Sequence, residues 1–463
     1  MEAFIEGLNR FFSGPVMVCG IGLIGLILTV RTGWIQFTKL GYTLKYTFSQ
    51  MFRRPQKGQK GITPFQAVTT ALSGTIGTGN IAGVAAAVSL GGAGAIFWMW
   101  VSAFLGMATK YSEILLAMKF RRKQRDGSWA GGPMYYIEKA MGGRKLASIF
   151  AVFCLLSSFC MGNMVQSNTA AAAVAEISDF GPETIRILFL GIAIVVGFVI
   201  IGGIRRIGRA TEAVVPAMAL FYIGGCLTVI ATHLPQMGNV FREIFFCAFS
   251  PDSGVQSAAG GVVGYGVARA VKVGFSKGVF TNEAGLGSAP IAHASAENDL
   301  PARQGLWGIF EVFFDTIVMC TLTGVVVVLS GLHKSGSASG AAITLSAFRQ
   351  YLGGFASALV GISTVFFAVA SIIGWSWYGE TCVNYLFHSS RRAVLIYKLF
   401  YVAAVYFGAV TTVELVWGLA DVWNSLMMIP NLAGVLLLSR IVREETLLLR
   451  QTLNHEKEKN KSK

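Results

Sequence analysis

Charge is what this 463-residue sequence most lacks: Asp, Glu, Lys and Arg make up 13% of it, against a 54% hydrophobic share. A soluble domain carries about 25% charged residues, so a set of water-facing folds is excluded and a lipid-embedded chain is left. Metal and disulfide frameworks are missing as well. The seven cysteines (Cys19, Cys154, Cys160, Cys226, Cys247, Cys320 and Cys382) form no C-x-x-C pair, and the five histidines no H-E-x-x-H. That pattern leaves the cysteines as packing residues. No basic leader precedes the first apolar run, where Glu2 and Glu6 stand beside Arg10 alone, so the opening residues read as an amphipathic lead-in and not a signal peptide. Acidic residues are also outnumbered, 23 to 38, for a net charge of +15. In a soluble chain this excess would suggest nucleic acid; in a membrane chain it marks cytoplasmic loops and calls for no nucleic-acid partner.

What is present in quantity is apolar sequence in runs of about 20 residues, the length that crosses a bilayer as a helix. Eleven such runs are predicted, roughly Val16–Val30, Phe65–Leu90, Ile96–Met118, Leu146–Ala175, Ile187–Ile204, Ala213–Ile230, Gly260–Ala294, Trp307–Leu332, Phe355–Phe387, Val394–Thr412 and Leu415–Leu438. The predicted fold class is an all-α integral membrane protein. Of the 38 basic residues, 28 follow the odd-numbered spans, and five (Arg10, Arg186, Arg242, Lys334, Arg349) lie on the other side. Basic loops resist translocation, so the N-terminus is expected outside and the C-terminus in the cytoplasm. The tail after Arg440 is polar and is expected to be solvated or disordered.

Span 2 carries Ser73-Gly-Thr-Ile-Gly-Thr-Gly-Asn80, with three glycines at membrane depth. Glycine costs about 1 kcal/mol against alanine in a helix, and an unwound stretch in lipid survives only where it lines a cavity or holds a ligand. Close helix packing through small residues explains the glycines equally well, but does not need Thr75, Thr78 and Asn80. The same stretch matches GxGxxA, though without the strand and following acid of a dinucleotide site. A second break is expected at Gly274-Phe-Ser-Lys-Gly278, continuing to Gly287. Asn80–Ala87 and Asn282–Ala289 agree at four of eight positions, and the two segments open successive groups of five helices. An odd repeat inverts its second copy, and paired interrupted helices point to a transporter's site. Half-helix amides suit a carboxylate, and freed carbonyls suit Na⁺.

The motifs Ser73-Gly-Thr-Ile-Gly-Thr-Gly-Asn-Ile-Ala-Gly83, Gly131-Gly-Pro-Met-Tyr-Tyr-Ile-Glu138 and Phe275-Ser-Lys-Gly-Val-Phe-Thr-Asn-Glu-Ala-Gly-Leu-Gly-Ser-Ala-Pro-Ile-Ala-His-Ala294 resemble the alanine/glycine:cation symporter family over almost the whole chain. The resemblance implies a leucine-transporter-type fold of eleven transmembrane helices: an extra helix and basic loop (1–60), a 5+5 inverted repeat (61–235 and 255–440), and a polar cytoplasmic tail (441–463). It implies alternating access in a prokaryotic plasma membrane, import of alanine, glycine or D-alanine, and Na⁺, less often H⁺, as the coupling ion, without an organic cofactor. Carried over by motif, Thr78, Gly79 and Asn80 receive the substrate carboxylate, while Phe275, Ser276, Gly278 and Val279 supply amine-facing carbonyls and the pocket wall. Sodium falls to the carbonyls of Ser73 and Ile76 with the hydroxyls of Ser363 and Thr364, and Ser371 offers another hydroxyl about two turns on.

Other intramembrane polar groups stay open between site and structure. Gln166 is the substrate contact the architecture suggests, and a helix-to-helix hydrogen bond is its alternative, as for Asn168. Trp375, or Trp377, caps a small pocket or anchors an interface. Glu283, Glu311 and Asp315 pair with Arg269, Lys272 or Lys277, or hold a cation or proton. Lys110 and Glu113 read as a local pair, and Gly131-Gly-Pro133 as a structural or gating turn. An enzyme would need a nucleophile–base arrangement that none of the histidines offers, and a channel has no use for two inverted broken helices. Oligomeric state is not legible here.

Overall fold

Hydrocarbon leaves a backbone no partner but itself, and the apolar runs accordingly fold as helices. In this computed structural model, which describes residues 15–51, 61–124, 127–178, 180–250, 265–298, 300–334, 340–411 and 413–461, the chain begins with α1 (Pro15–Arg31), a one-turn helix and α2 (Leu40–Gln50). There follow α3 (Pro64–Thr75), α4 (Ala82–Gly91), α5 (Gly94–Lys119), a two-stranded hairpin of β1 (Arg122–Lys123) and β2 (Trp129–Ala130), α6 (Pro133–Met141), α7 (Arg144–Ile177), α8 (Pro182–Ile201), α9 (Gly203–Thr232) and α10 (Met237–Phe249). The second half holds α11 (Tyr265–Asn282), α12 (Ala289–His293), α13 (Pro301–Ser330), α14 (Gly340–Leu352), α15 (Phe355–Leu386), α16 (Arg391–Val410), α17 (Val413–Leu437) and α18 (Ser439–Lys461). The expected N-terminal lead-in and the front of span 7, residues 260–264, lie outside the described residues.

Among the described residues, six helices are long and apolar enough to cross a membrane (α7, α8, α9, α13, α15 and α16), and α3–α4 and α17–α18 pass as bent pairs. α1, α5 and α11 occupy the other three expected spans. α15 is the central helix, packed against α3, α7 and α9 and mostly buried, while α8 and α16 turn Ile194, Phe198, Leu399 and Phe400 outward, as lipid-facing helices do.

Span 2 is broken where expected. Thr63 starts α3 with a capping box closed by Gln66; the helix stops at Thr75, Ile76 is extended (φ −76°, ψ 90°), and a single 3₁₀ turn, Thr78–Asn80, leads into α4 at a bend of 53°. Span 7 corrects the expectation. α11 runs unbroken through Gly274–Gly278 to Asn282, and the chain unwinds only at Glu283–Ser288, where Glu283 (φ 54°), Gly285 (φ 95°) and Gly287 (φ 80°) are left-handed. The aligned Asn80 and Asn282 are therefore not equivalent, since Asn80 lies within the first break and Asn282 is the last helical residue before the second. Gly274 and Gly278 serve packing: a β-carbon at Gly274 would sit 2.5 Å from the Ala95 carbonyl oxygen, and one at Gly278 would strike the Ser102 hydroxyl, both on α5. This is the small-residue contact that brings two membrane helices close.

The tail is a second correction. Residues 439–461 form α18, whose Val442, Thr446, Leu449 and Leu453 are buried at helical spacing. Arg450 ties it to the Thr32 and Gly33 carbonyls at 2.9 and 2.7 Å.

Candidate functional site

The first break is held open by its own side chains. Asn80 Oδ1 accepts the Gly77 N–H at 3.0 Å, and Asn80 Nδ2 donates to Asp315 Oδ1 at 2.6 Å. Thr78 Oγ1 donates to Gln166 Oε1 at 3.3 Å. Gln166 is aimed there by a π turn, Cys160–Met164, inside α7: its Nε2 donates to the Met161 carbonyl at 3.2 Å, leaving Oε1 toward Thr78. Asn168, by contrast, donates to the Gly408 and Thr411 carbonyls and takes the helix-to-helix role. Ser371 Oγ donates to the Ser73 carbonyl at 2.7 Å.

Trp375 closes the other wall. Its indole lies against Gly162 of the π turn, where a β-carbon would overlap it, and its Nε1 is buried with no hydrogen-bond partner among the described residues. The Tyr378 hydroxyl is orphaned in the same way, and both groups face Gly74, at 3.4 and 3.2 Å from where its β-carbon would be. Unpartnered buried donors beside an unwound backbone mark a place built for a polar guest. Trp377 lies elsewhere, on the wall of a wide cavity with Glu380 and Arg391.

The sodium set expected from the motif is not assembled. Ser371 reaches Ser73, and Ser363 is eight residues back on α15, about 12 Å along the axis. Thr364 returns its hydroxyl to the Val360 carbonyl at 2.7 Å and lines a small cavity with Thr78 and Ile81, while the Ser363 hydroxyl is buried without a partner.

The second break is pinned by protein groups. Asn431 Nδ2 donates to the Gly285 carbonyl at 2.7 Å and to Glu113, Tyr136 donates to Asn431, and Ser288 donates to Glu283. Gly287 and Gly132 pack this segment closely against the Gly131-Gly-Pro133 turn. The Val279 carbonyl is taken by the Glu283 N–H at 2.8 Å. That bond fills one of the carbonyl's two lone pairs, and the Gly278 carbonyl likewise accepts from Thr281 at 2.9 Å, so Phe275, Ser276, Gly278 and Val279 belong to a continuous helix and not to the break expected there.

The carboxylates also pair differently. Glu311 meets Lys110 at 3.2 Å and His293 at 3.3 Å, all fully buried, with Gln304 on the other histidine nitrogen at 2.8 Å. Asp315 Oδ2 accepts from Thr316 at 2.8 Å, and Thr316 accepts from Asn282 at 3.2 Å. The two breaks are thus joined through Asn80, Asp315, Thr316 and Asn282. Neither Asp315 nor Ser371 was assigned to the site by sequence; the only signals were an acid in a span and a hydroxyl two turns from the favoured pair. Phe275, Ser276 and Val279 line a cavity of about 110 Å³ shared with α1 and α17.

Comparison with known proteins identifies the family and the fold. The model of the sodium:alanine symporter family matches residues 1–463. The sodium/alanine symporter AgcS of Methanococcus maripaludis is 43% identical over 96% of both chains. The probable sodium/glutamine symporter GlnT of Bacillus subtilis is 38% identical over 96% of this chain and 89% of its own. Among solved structures, MhsT in complex with L-phenylalanine superposes with a TM-score of 0.56 at 12% identity, covering 86% of this chain and 98% of that one, a likeness of fold.

Proposed function

The chain belongs to the sodium:alanine symporter family, and from that premise we propose that it imports a small neutral amino acid, alanine foremost with glycine and D-alanine as relatives in size, together with Na⁺. It is a multi-pass membrane carrier and not an enzyme. The observation that supports the substrate reading is the first break: the N–H groups of Ile76, Gly77, Asn80 and Ile81 are bonded within the protein, which leaves those of Thr78 and Gly79 for a guest, with Gln166 and Trp375 on the facing wall. Freed amides with their partial positive charge suit the carboxylate. The Trp375 ring, packed so closely that Gly162 has no room for a β-carbon, supports a short substrate side chain. Sodium is assigned to the carbonyls of Ser73 and Ile76 and to the Ser371 hydroxyl, which takes the place expected for Ser363 and Thr364.

Around this site the chain is read as eleven spans, with residues 61–235 and 255–440 as inverted halves that rock about the site, in a prokaryotic plasma membrane with the N-terminus outside. The test is labelled alanine uptake into vesicles holding the purified protein. Uptake driven by an inward Na⁺ gradient is expected; uptake indifferent to Na⁺ but driven by a pH gradient would replace Na⁺ with H⁺, and no uptake of any small amino acid would end the reading.

A further inference from the structure

The cavity of about 110 Å³ between α1, α11 and α17 carries two opposite charges within the helix bundle, Lys277 and Asp421, with Ser276, Asn424 and Ser425 also on its wall. Ionisable groups in a bilayer are costly and are normally paired with each other. These two are not: no ion pair within 4.0 Å joins them or ties either to another charge among the described residues. Lys277 Nζ instead rests 5.3 Å from the Phe280 ring and 5.9 Å from the Trp417 ring, which are stacked at 5.6 Å. Asn424 has its carbonyl oxygen taken by the Ser157 hydroxyl, which turns its amide nitrogen into the available donor.

An ammonium and a carboxylate held apart on the wall of a small cavity of mixed polar and apolar lining are complementary to a molecule with the same two charges in reverse. Phe280 sets where this place lies relative to the transport site: its ring lines the cavity and also stands 3.4 Å from where a β-carbon of Gly79 would be. The cavity and the first break are therefore separated by one aromatic ring.

We infer that this cavity is a second site for the carried amino acid, taking the zwitterion with its carboxylate on Lys277 and Asn424 and its ammonium on Asp421, and passing it to the first break when Phe280 turns aside. The inference rests on the carrier reading above. It gives Phe275, Ser276 and Val279, which sequence placed in the substrate pocket, a place in this outer chamber instead. Selection would be for both charges together, so a plain amine or a plain carboxylic acid of the same size should not compete.

The experiment counts labelled alanine bound to the purified full-length protein in Na⁺ and measures uptake kinetics in vesicles. The wild type is expected to bind two alanines, and Lys277→Met and Asp421→Asn one each, with KM raised roughly tenfold, about the loss of one charge-assisted hydrogen bond, and kcat changed less than the KM. Ser425→Met fills the cavity and keeps both charges, so it is the check against a folding defect and is also expected to bind one. One alanine bound to the wild type, or two bound to the variants, overturns the second site alone. No alanine bound to the wild type overturns the carrier reading and this inference with it.

Discussion

Gly162 has no side chain because the Trp375 indole occupies the space a β-carbon would need. Gly162→Ala is therefore expected to push the ring into the pocket. Overpacking of this kind costs about 1–3 kcal/mol, and alanine uptake should fall more steeply than thermal stability, measured side by side. Asn80 has a different duty, serving Gly77 and Asp315 at once. Asn80→Ala leaves a buried carboxylate short of a donor, a loss of about 1–3 kcal/mol. Uptake is expected to vanish while the protein still inserts, and wild-type uptake would remove Asn80 from the site. At this scale the sequence was informative about which residues sit in the first break, because three glycines and four polar side chains in eight positions have few other uses. It said nothing of Asp315 as the partner, since that contact spans 235 residues.

Among the elements, the two interrupted helices differ in how their freed backbone is satisfied. In the first, the walls keep orphaned donors; in the second, Asn431, itself held by the Tyr136 hydroxyl, donates to the freed Gly285 carbonyl. Asn431→Ala should accordingly loosen the second break and lower the melting temperature while sparing alanine affinity, which equilibrium binding would check. The loop helix α6 is latched to the end of α15 by Glu138, which accepts from Tyr385 at 2.8 Å and Arg122 at 3.1 Å. Burial favours the neutral acid, but these donors outweigh it and hold the carboxyl below its usual value. A carboxylate depressed on folding adds stability above its unfolded pKa and loses it as pH falls through the folded one. Hydrogen exchange in residues 133–141 is thus expected to quicken on acidification, and Glu138→Gln should remove that pH dependence. The shift of the second break from 274–278 to 283–288 was hidden because glycine reports two things, freedom to unwind and permission to pack, and only the neighbour at Ala95 and Ser102 tells them apart.

For the whole molecule, the asymmetry of basic loops predicts one orientation. Cys19 is the one exposed cysteine of the seven, so a Cys19→Ser background should be silent to a membrane-impermeant maleimide. On that background Lys334→Cys is expected to label in intact cells and Arg122→Cys only after permeabilisation; the reverse would invert the topology.

Sequence alone determined the helical, lipid-embedded class, the positions of most spans and the first break, because hydropathy, charge bias and clustered glycines act locally along the chain. Tertiary structure decided which hydroxyl meets Ser73, which acid meets Lys110, that the tail packs as α18, and that Phe275, Ser276 and Val279 face a separate cavity. Those outcomes depend on the azimuth of one helix against another. A side chain's identity gives its chemistry, but the partner that satisfies or strands it is chosen only when distant helices pack.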